Sequence, residues 1–374
     1  MKKRIGNIFV ITVALGLMAV SFGGCNKKKE EQEPVKQETQ AEVPQEPVIE
    51  EPVVPEEPQP TPIPENENPL TGIGDLTKKA IGKRPVAVMV NNVADALPQY
   101  GISQADVIFE IPVEGNLTRL MALYGDYTQV PKICPIRSCR YYYPALALGF
   151  DAYYVHWGCD QTILSYLYSL DIDRFDGMAN RFGMFGRDQS RRNQGYALEH
   201  TGYFDGTKFA KAMKENDIRT KLKKKKTDTA FQFCGMDEKV TPSGKECSRV
   251  HINFGPCNST LKYNAKEGLY VKQMNGNAHK DAKTGEKLKF TNVIILETTI
   301  YTRDEKGHKY LDWKGGKKAV GYYISNGKKQ KITWSKKSEE SYLKFYDKKG
   351  NELVINRGKT YIAFVSPGME NFTE

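Results

Sequence analysis

Apolar and polar positions in the first half of the chain follow both strand and helix periods. Strands are predicted over residues 85–90, 106–113 and 117–124, and helices over residues 142–148, 161–170 and 205–215. Glu114-Gly115-Asn116 separates two of the strands and predicts a hairpin, while Asp205 is a suitable N-cap for the last helix. Hairpins mixed with short helices favour an α+β fold over a doubly wound sheet.

The second half of the chain has strand patterns, frequent turn signals and little helical periodicity. Strands are predicted over residues 250–254, 260–263, 269–273, 292–301, 319–325, 329–334, 342–346, 353–355 and 361–365. Asn326-Gly327 lies between two of these strands and is the strongest hairpin signal in the chain. We therefore expect a mostly antiparallel β-domain, either barrel-like or a sandwich.

The N-terminus has the pattern of a secretory signal. Lysines and an arginine in residues 1–4 precede an apolar, uncharged stretch over residues 8–20, which is shorter than the roughly 20 residues of a membrane-spanning helix. The following segment, Ser21-Phe-Gly-Gly-Cys25, resembles the lipobox of bacterial lipoproteins. The resemblance implies cleavage before Cys25 and a diacylglyceryl thioether on it, with fatty acids such as palmitate as the anchor. The alternative is a short anchor that is not cleaved.

Residues 26–70 predict a disordered tether. They contain ten Pro and twelve Glu with almost no aromatic residue, so they bury too little apolar surface to offset the entropy of ordering. At about 3.1 Å per residue such a segment reaches on the order of 100 Å from the bilayer. That reach extends into the cell-wall zone.

The charge of the chain is unevenly distributed. The net charge of +10 combines +3 in residues 1–25 with −8 in residues 26–70, which leaves +15 for residues 71–374. Outside the membrane, a basic surface favours teichoic-type polymers, anionic lipid headgroups or an acidic envelope protein over nucleic acid. The alternative is that the lysines only solvate the surface, as we infer for the lysine-rich run at residues 221–226.

Cysteine spacing suggests neither a metal site nor one disulfide pattern. Of seven cysteines, Cys25 is assigned to the lipid, and the other six divide equally around the lysine-rich run. There is no C-x-x-C, and no histidine lies at zinc-ligand spacing from a cysteine pair. An exported protein permits disulfides, but their connectivity stays open, and we expect no metal and no cofactor.

Common catalytic signatures are missing, since the chain has no G-x-S-x-G elbow, P-loop, H-E-x-x-H helix or Gly-rich dinucleotide turn. Charged groups instead collect around the first hairpin, where we predict a buried pair of Glu110 with Arg119. Arg137 and Arg140 lie close enough in sequence to converge on one phosphate or carboxylate. The candidate ligand-binding residues are Asn92, Asp106, Glu110, Glu114, Arg119, Arg137, Arg140, His156, Arg187 and His200.

Several of these residues belong to motifs shared with a known family. The motifs are Arg84-Pro85-x-Ala87-Val-Met-Val-Asn91-Asn92, Pro98-Gln99-x-Gly101, Ala105-Asp106-x-x-x-Glu110, Val113-Glu114-Gly115-x-x-Thr118-Arg119, Pro135-x-Arg137-Ser138-x-Arg140 and His156-x-Gly158. Together they resemble the YerB-like lipoprotein family over most of residues 80–205, and the β-rich tail is similar to its second domain. The resemblance implies a two-domain extracytoplasmic lipoprotein and no particular activity.

These observations predict four segments: a signal peptide (1–24), a tether (25–70), a mixed α/β N-terminal domain (71–225) and a mostly antiparallel β C-terminal domain (226–374). We expect a non-catalytic lipoprotein on the outer face of the cytoplasmic membrane that binds an anionic envelope ligand or an envelope protein. The alternative is an enzyme acting on phosphate-bearing wall or lipid-linked glycan substrates, with an arginine clamp and a carboxylate or histidine base.

Overall fold

The computed structural model describes residues 59–223 and 228–374. The predicted signal peptide, Cys25, the tether up to residue 58 and residues 224–226 of the lysine-rich run lie outside the described residues. Within the described residues, no helix is both long enough and apolar enough to cross a membrane.

Strands dominate the described chain. They are β1 (Val86–Asn91), β2 (Val107–Pro112), β3 (Thr118–Tyr124), β4 (Lys132–Ile133), β5 (Tyr153–His156), β6 (Arg174–Asp176), β7 (Phe185–Arg187), β8 (Gly202–Asp205), β9 (Gln232–Phe233), β10 (Arg249–Ile252), β11 (Ser259–Asn264), β12 (Leu269–Met274), β13 (Asn277–Ala278), β14 (Lys289–Phe290), β15 (Asn292–Glu297), β16 (Ile300–Thr302), β17 (Lys309–Leu311), β18 (Gly315–Ser325), β19 (Lys328–Ser335), β20 (Lys344–Tyr346), β21 (Val354–Ile355), β22 (Thr360–Val365) and β23 (Glu370–Thr373).

Helices are short and lie mostly in the first half. The α-helices are α1 (Tyr142–Gly149), α2 (Leu164–Ser169), α3 (Gln189–Asn193) and α4 (Phe209–Glu215). Single 3₁₀ turns cover Ala94–Ala96, Glu114–Asn116, Gln161–Ile163, Arg181–Gly183, Leu198–His200 and Gly206–Lys208. The three predicted helices are confirmed as α1, α2 and α4, although the first turns of the latter two are 3₁₀.

A ten-stranded mixed sheet forms the centre of the molecule. Its strand order is β20-β19-β18-β15-β22-β2-β3-β1-β5-β6. Strand β22 from the end of the chain pairs in parallel with both β2 and β15, so strands from both halves complete one sheet. The predicted fold class is confirmed, with a mixed N-terminal part and a mostly antiparallel C-terminal part, and the central sheet joins them.

A second sheet of six strands contains β13, β12, β11, β10 and β23 in that order, with β14 also paired to β12. The hairpin predicted at Asn326-Gly327 joins β18 to β19 in the central sheet, where Ser325 pairs with Lys328. Both turn residues have positive φ, 49° and 74°, as a type I′ turn requires. The tight turn therefore sets the antiparallel register locally.

Apolar side chains fill both faces of the central sheet. Alternate residues of β2 divide between them, since Phe109 and Ile111 pack in one core with α1 while Ile108 packs in the other. The second core also contains Phe209 of α4 and residues of the six-stranded sheet, such as Leu261. Burial on both faces explains why β1, β2 and β3 are buried along their whole length.

The folded unit begins before residue 70. Asn68 Nδ2 donates to Asp106 Oδ2 at 3.1 Å, Arg357 Nη1 lies 2.6 Å from Glu67 Oε1, and Leu70 is buried. Residues 59–70 therefore belong to the folded body, because these polar contacts and the burial of Leu70 offset the cost of ordering them. The other predicted domain boundaries stay predictions.

Candidate functional site

Strands β2 and β3 each carry one charged residue, and the two lie on opposite faces of the central sheet. Its register pairs Glu110 with Leu120 and Ile111 with Arg119. Directly paired residues share a face, and neighbours along a strand do not, so Glu110 points into one core and Arg119 toward the other. Both residues are buried, but the predicted Glu110–Arg119 pair does not form.

Arg119 instead belongs to a group that we call the arginine cluster, made of Glu114, Arg119, Arg137 and Arg140. Arg119 Nη2 lies 2.8 Å from Glu114 Oε1, and Arg140 Nε donates to Glu114 Oε2 at 2.8 Å. Arg140 Nη2 also contacts Glu114 Oε1, which makes the contact between Arg140 and this carboxylate bidentate. Two guanidiniums thus share the Glu114 carboxylate, and with Arg137 the cluster carries excess positive charge.

Electrostatics in the cluster keep Glu114 ionised. Burial raises the pKa of this carboxyl, but the hydrogen bond from Arg140 and the charges of Arg119 and Arg140 outweigh it and lower the pKa to about 2. Burial and the charge of Arg140 lower the pKa of Arg119 to about 10, which still leaves its guanidinium protonated at neutral pH. A carboxylate with so low a pKa is a weak base, so Glu114 acts as a counter-ion for the arginines.

Backbone hydrogen bonds hold the loop that carries two of the arginines, residues 135–140, which we call the arginine loop. Arg137 N–H donates to Met89 O at 2.9 Å, and Trp157 N–H donates to Arg137 O at 3.0 Å. Cys139 N–H donates to Gly158 O at 3.0 Å. Because both β1 and the chain after β5 anchor the loop, its guanidiniums are positioned before any ligand arrives.

Arg137 is the member of the cluster whose charge is least neutralised. Its side chain is 30% exposed, and its ion pair with Glu199 is 3.7 Å long, to a carboxylate that is itself 53% exposed. Arg187 stacks on Trp157 at 4.1 Å and donates to Leu198 O at 2.7 Å. After the larger effect of burial, the charge of Arg137 lowers the pKa of Arg187, so two like charges share this part of the surface.

His200 lies at the edge of the same surface. Its Nδ1 is 2.9 Å from Asn91 Nδ2, so the ring accepts this hydrogen bond and must be neutral there. Burial is the largest cause of its lowered pKa, and the positive charge of Arg137 acts in the same direction. Of the predicted residues, the structure therefore brings together Glu114, Arg119, Arg137 and Arg140, with Arg187 and His200 at their margin.

Glu110 and Asn92 belong to a separate buried group that we call the Glu110 network. The Glu110 carboxylate accepts hydrogen bonds from Asn92, Thr118, Ser259 and Tyr361, all between 2.8 and 3.0 Å. Lys272 Nζ lies 3.1 Å from Glu110 Oε2, and both side chains are 0% exposed. The network joins the central sheet to the six-stranded sheet, and the side chains of its ion pair do not reach solvent.

The Glu110 network continues through a buried histidine. His279 Nδ1 is 3.2 Å from Lys272 Nζ, and His279 Nε2 is 2.8 Å from Gln99 Oε1. Burial and the charge of Lys272 place the pKa of His279 well below its usual range, so the ring is neutral. A neutral ring with its proton on Nε2 accepts from Lys272 and donates to Gln99, which satisfies both nitrogens.

Two other predicted residues, Asp106 and His156, lie apart from the arginine cluster. Asp106 Oδ2 accepts from Gly125 N–H at 2.7 Å and from Asn68, and burial raises its pKa to about 6. His156 is buried in β5, its Nδ1 is 2.9 Å from Gly158 O, and burial lowers its pKa. Both groups are buried, so neither is positioned at the surface as a general base beside the arginines.

One group in the described chain has metal-ligating side chains in reach of one another. Ligand atoms of Asp160, Asp304 and His308 lie within 4.8 Å of one another. Arg303 Nη2 lies 2.5 Å from Asp160 Oδ2 and 3.2 Å from Asp304 Oδ2, so a guanidinium already neutralises these carboxylates. The group is an ion-pair network that fastens the turn before β17 to Asp160.

Two cavities of the described chain lie away from the arginine cluster. One of about 440 Å³ is lined by residues including Glu297, Lys317 and Trp334, and one of about 280 Å³ by residues including Pro98 and His279. Neither includes a member of the arginine cluster. The partly exposed side chains of Glu114 and Arg137 instead place the cluster at the protein surface.

Sequence reasoning missed Glu199, which is the counter-ion of Arg137, and Ser259, Lys272 and His279 of the Glu110 network. The pattern does contain a signal for Lys272, because β12 alternates and Lys272 shares a face with buried Tyr270 and Met274. A lysine between two buried positions of a strand predicts a buried partner of opposite charge. No comparable signal marks Glu199, which lies in a 3₁₀ turn.

Comparison with known proteins finds two family models, a relative and a solved structure that match this chain. Two family models, described as the N-terminal and C-terminal domains of "Protein of unknown function (DUF3048)", match residues 70–219 and 250–362. The Bacillus subtilis protein named "Putative lipoprotein YerB" is 30% identical over 302 residues, which are 79% of this chain and 85% of that protein. A crystal structure of YerB protein from Bacillus subtilis has a TM-score of 0.69 at 24% identity and covers 82% of this chain and 99% of the solved chain. At that identity the solved structure supports the fold.

Proposed function

Since the chain belongs to the YerB-like family with DUF3048 domains, we propose that it is a lipid-anchored envelope protein that binds a phosphate-bearing anionic ligand at the arginine cluster. The anchor is the lipid on Cys25, and the protein faces outward from the cytoplasmic membrane. The name of its Bacillus subtilis relative as a lipoprotein supports this anchor, together with the lipobox at residues 21–25.

The observation that carries the binding proposal is the unbalanced charge at Arg137. Glu114 is shared by Arg119 and Arg140, while Arg137 has only a long contact with the exposed Glu199. An incoming phosphate displaces Glu199 at little cost, because an exposed ion pair contributes only about 0–1 kcal/mol. The planar guanidinium then offers two parallel donors to the phosphate oxygens.

Phosphate reaches this surface from two sources, a wall polymer or a lipid headgroup. We favour the polymer for two reasons. The open surface suits a chain with repeated charges better than a small enclosed molecule. The length and composition of residues 26–58 also predict a spacer that holds the folded body away from the bilayer.

The experiment compares the full-length chain, extracted in detergent, with its Arg137→Ala variant. Each is titrated with poly(glycerol phosphate) and, separately, with vesicles containing phosphatidylglycerol. We expect the polymer to bind at least roughly tenfold more weakly to Arg137→Ala, because one charge-assisted hydrogen bond contributes about 1.5–3 kcal/mol. Arg249→Ala is the matched control, since Arg249 is an exposed arginine on β10 in the other half of the chain.

Three outcomes divide the possibilities. Polymer binding that weakens in Arg137→Ala and persists in Arg249→Ala supports the proposal and its polymer source. Arg137-dependent binding to vesicles alone retains the arginine site but replaces the polymer with a headgroup. Equal loss in both variants, or no binding to either probe, contradicts the proposed function.

A further inference from the structure

Two cysteines lie side by side at the end of the arginine loop. Cys139 and Cys159 are partners in an isolated parallel β-bridge, which the hydrogen bond from Cys139 N–H to Gly158 O supports. Cys139 is 0% exposed, whereas Cys159 is only partly buried. Both thiols are free in the structure.

The backbone geometry of Cys139 and Cys159 is compatible with a disulfide. Hydrogen-bonded strands lie about 4.7–4.9 Å apart, and the Cα atoms of disulfide-linked residues are usually about 4.4–6.8 Å apart. Paired residues in a parallel bridge also direct their side chains to the same side. The bridge therefore places these two thiols in reach of each other with little movement of the backbone.

The other four cysteines of the described chain have different neighbours. Cys134 shares a β-bridge with Tyr100, and Cys234 Sγ donates to Glu238 O at 3.4 Å. Cys247 Sγ donates to Arg249 O at 3.6 Å, and Cys257 lies beside Thr118. Among the β-bridges of the described residues, the one between Cys139 and Cys159 joins two cysteines.

We propose that Cys139 and Cys159 form a disulfide when the protein meets an external disulfide oxidant, and that this bond fixes the C-terminal end of the arginine loop. The inference goes beyond ligand binding and does not depend on it. It explains how a loop that presents Arg137 and Arg140 on an open surface is held in place by a covalent bond as well as by backbone hydrogen bonds.

The reaction is two successive thiol–disulfide exchanges. The Cys159 thiolate attacks a sulfur of the oxidant and releases one thiol, which leaves a mixed disulfide on Cys159. The Cys139 thiolate then attacks the sulfur of Cys159 and releases the second thiol. Each cysteine loses its proton to solvent, and the two electrons reduce the oxidant disulfide to two thiols.

The order of the two steps follows from exposure. Cys159 reaches solvent and Cys139 does not, so the oxidant meets Cys159 first. Burial raises the pKa of Cys139 to about 12, which leaves little thiolate at neutral pH and makes the second step slow. The test therefore uses prolonged incubation with the oxidant.

Tryptic peptide mapping identifies which cysteines are linked, because Cys134, Cys139 and Cys159 fall in three different peptides. Cleavage after lysine and arginine puts Cys134 in residues 133–137, Cys139 in residues 138–140 and Cys159 in residues 141–174. The full-length chain is incubated with glutathione disulfide, its remaining thiols are alkylated in denaturant, and the digest is analysed by mass spectrometry without reductant. We expect peptide 138–140 linked to peptide 141–174, and loss of this species after dithiothreitol.

Two variants complete the test. Cys159→Ala should abolish the linked species, whereas Cys134→Ala, which removes another buried cysteine of the same region, should leave it unchanged. The inference is overturned if both peptides stay separately alkylated after prolonged oxidation, or if peptide 141–174 links to peptide 133–137 instead. The wild-type map is informative even if a variant folds poorly.

Discussion

The two polar clusters beside the β2–β3 hairpin are opposites in the way their charges are neutralised. In the Glu110 network, one buried carboxylate is matched by Lys272 and four hydrogen-bond donors, and none of this charge reaches solvent. In the arginine cluster, one carboxylate is shared by two guanidiniums, and a third, that of Arg137, is 30% exposed and has only a long contact with Glu199. A closed network can only stabilise the fold, whereas an open one with surplus charge can also bind a ligand.

The largest effect is expected from breaking the closed network. Lys272→Met leaves the Glu110 carboxylate buried without its cation, and removing one partner of a buried pair costs about 3–5 kcal/mol. Urea unfolding should show this loss directly. Lys262→Met is the matched control, since Lys262 lies exposed on the neighbouring strand β11, and it should change the free energy of unfolding by less than about 0.5 kcal/mol.

A smaller effect is expected from the counter-ion of the open cluster. Glu114→Gln removes the carboxylate shared by Arg119 and Arg140, and we expect it to lower the free energy of unfolding by about 2 kcal/mol at pH 7. This figure is discounted for solvent screening, because the Glu114 side chain is 27% exposed. A loss equal to that of Lys272→Met would remove the distinction between the two clusters.

The same carboxylate should leave a signature in acid. Its pKa is lowered from 4.5 to about 2 in the folded state, so its stabilising contribution is complete above pH 4.5 and disappears as the pH falls toward 2. Wild-type protein should therefore lose about 2 kcal/mol more than Glu114→Gln over this range. Parallel unfolding free energies for the two proteins between pH 5 and pH 2 would refute the lowered pKa.

The smallest effect on stability is expected at Arg137. Its side chain is 30% exposed and its contact with Glu199 is long, so Arg137→Ala should change the free energy of unfolding by less than about 1 kcal/mol. Thermal or urea unfolding measures this change. A loss of several kcal/mol would mean that Arg137 belongs to the structural framework rather than to a binding surface.

The sequence predicted the hairpin but not the partners of its charged residues. Hydrophobic runs and the Glu114-Gly115-Asn116 turn identify two paired strands, but they do not fix which residues lie opposite each other. A shift by one residue exchanges the faces, and the bond from Val113 N–H to Leu117 O sets a register that separates Glu110 from Arg119. The sequence thus predicted which residues belong to the arginine cluster. The contacts that each of them makes are known only from the structure.

Long-range contacts explain most of what the sequence could not reveal. Glu110 contacts Ser259 and Tyr361, which lie 149 and 251 residues further along the chain. Local periodicity contains no information about which distant strand completes a sheet. Composition likewise placed residues 59–70 in the predicted tether. A Pro-rich and Glu-rich segment is predicted to be disordered unless its particular partners, such as Arg357 for Glu67, are known.

Affinity for poly(glycerol phosphate) tests the open cluster as a binding site. Wild-type protein, Glu114→Gln and the double variant Arg137→Ala/Arg187→Ala should be titrated at low and at physiological salt. We predict the tightest binding for Glu114→Gln, because it removes a competing negative charge, and binding roughly 10-fold to 100-fold weaker than wild type for the double variant. The same affinity for all three folded proteins would contradict ligand binding by the arginine cluster.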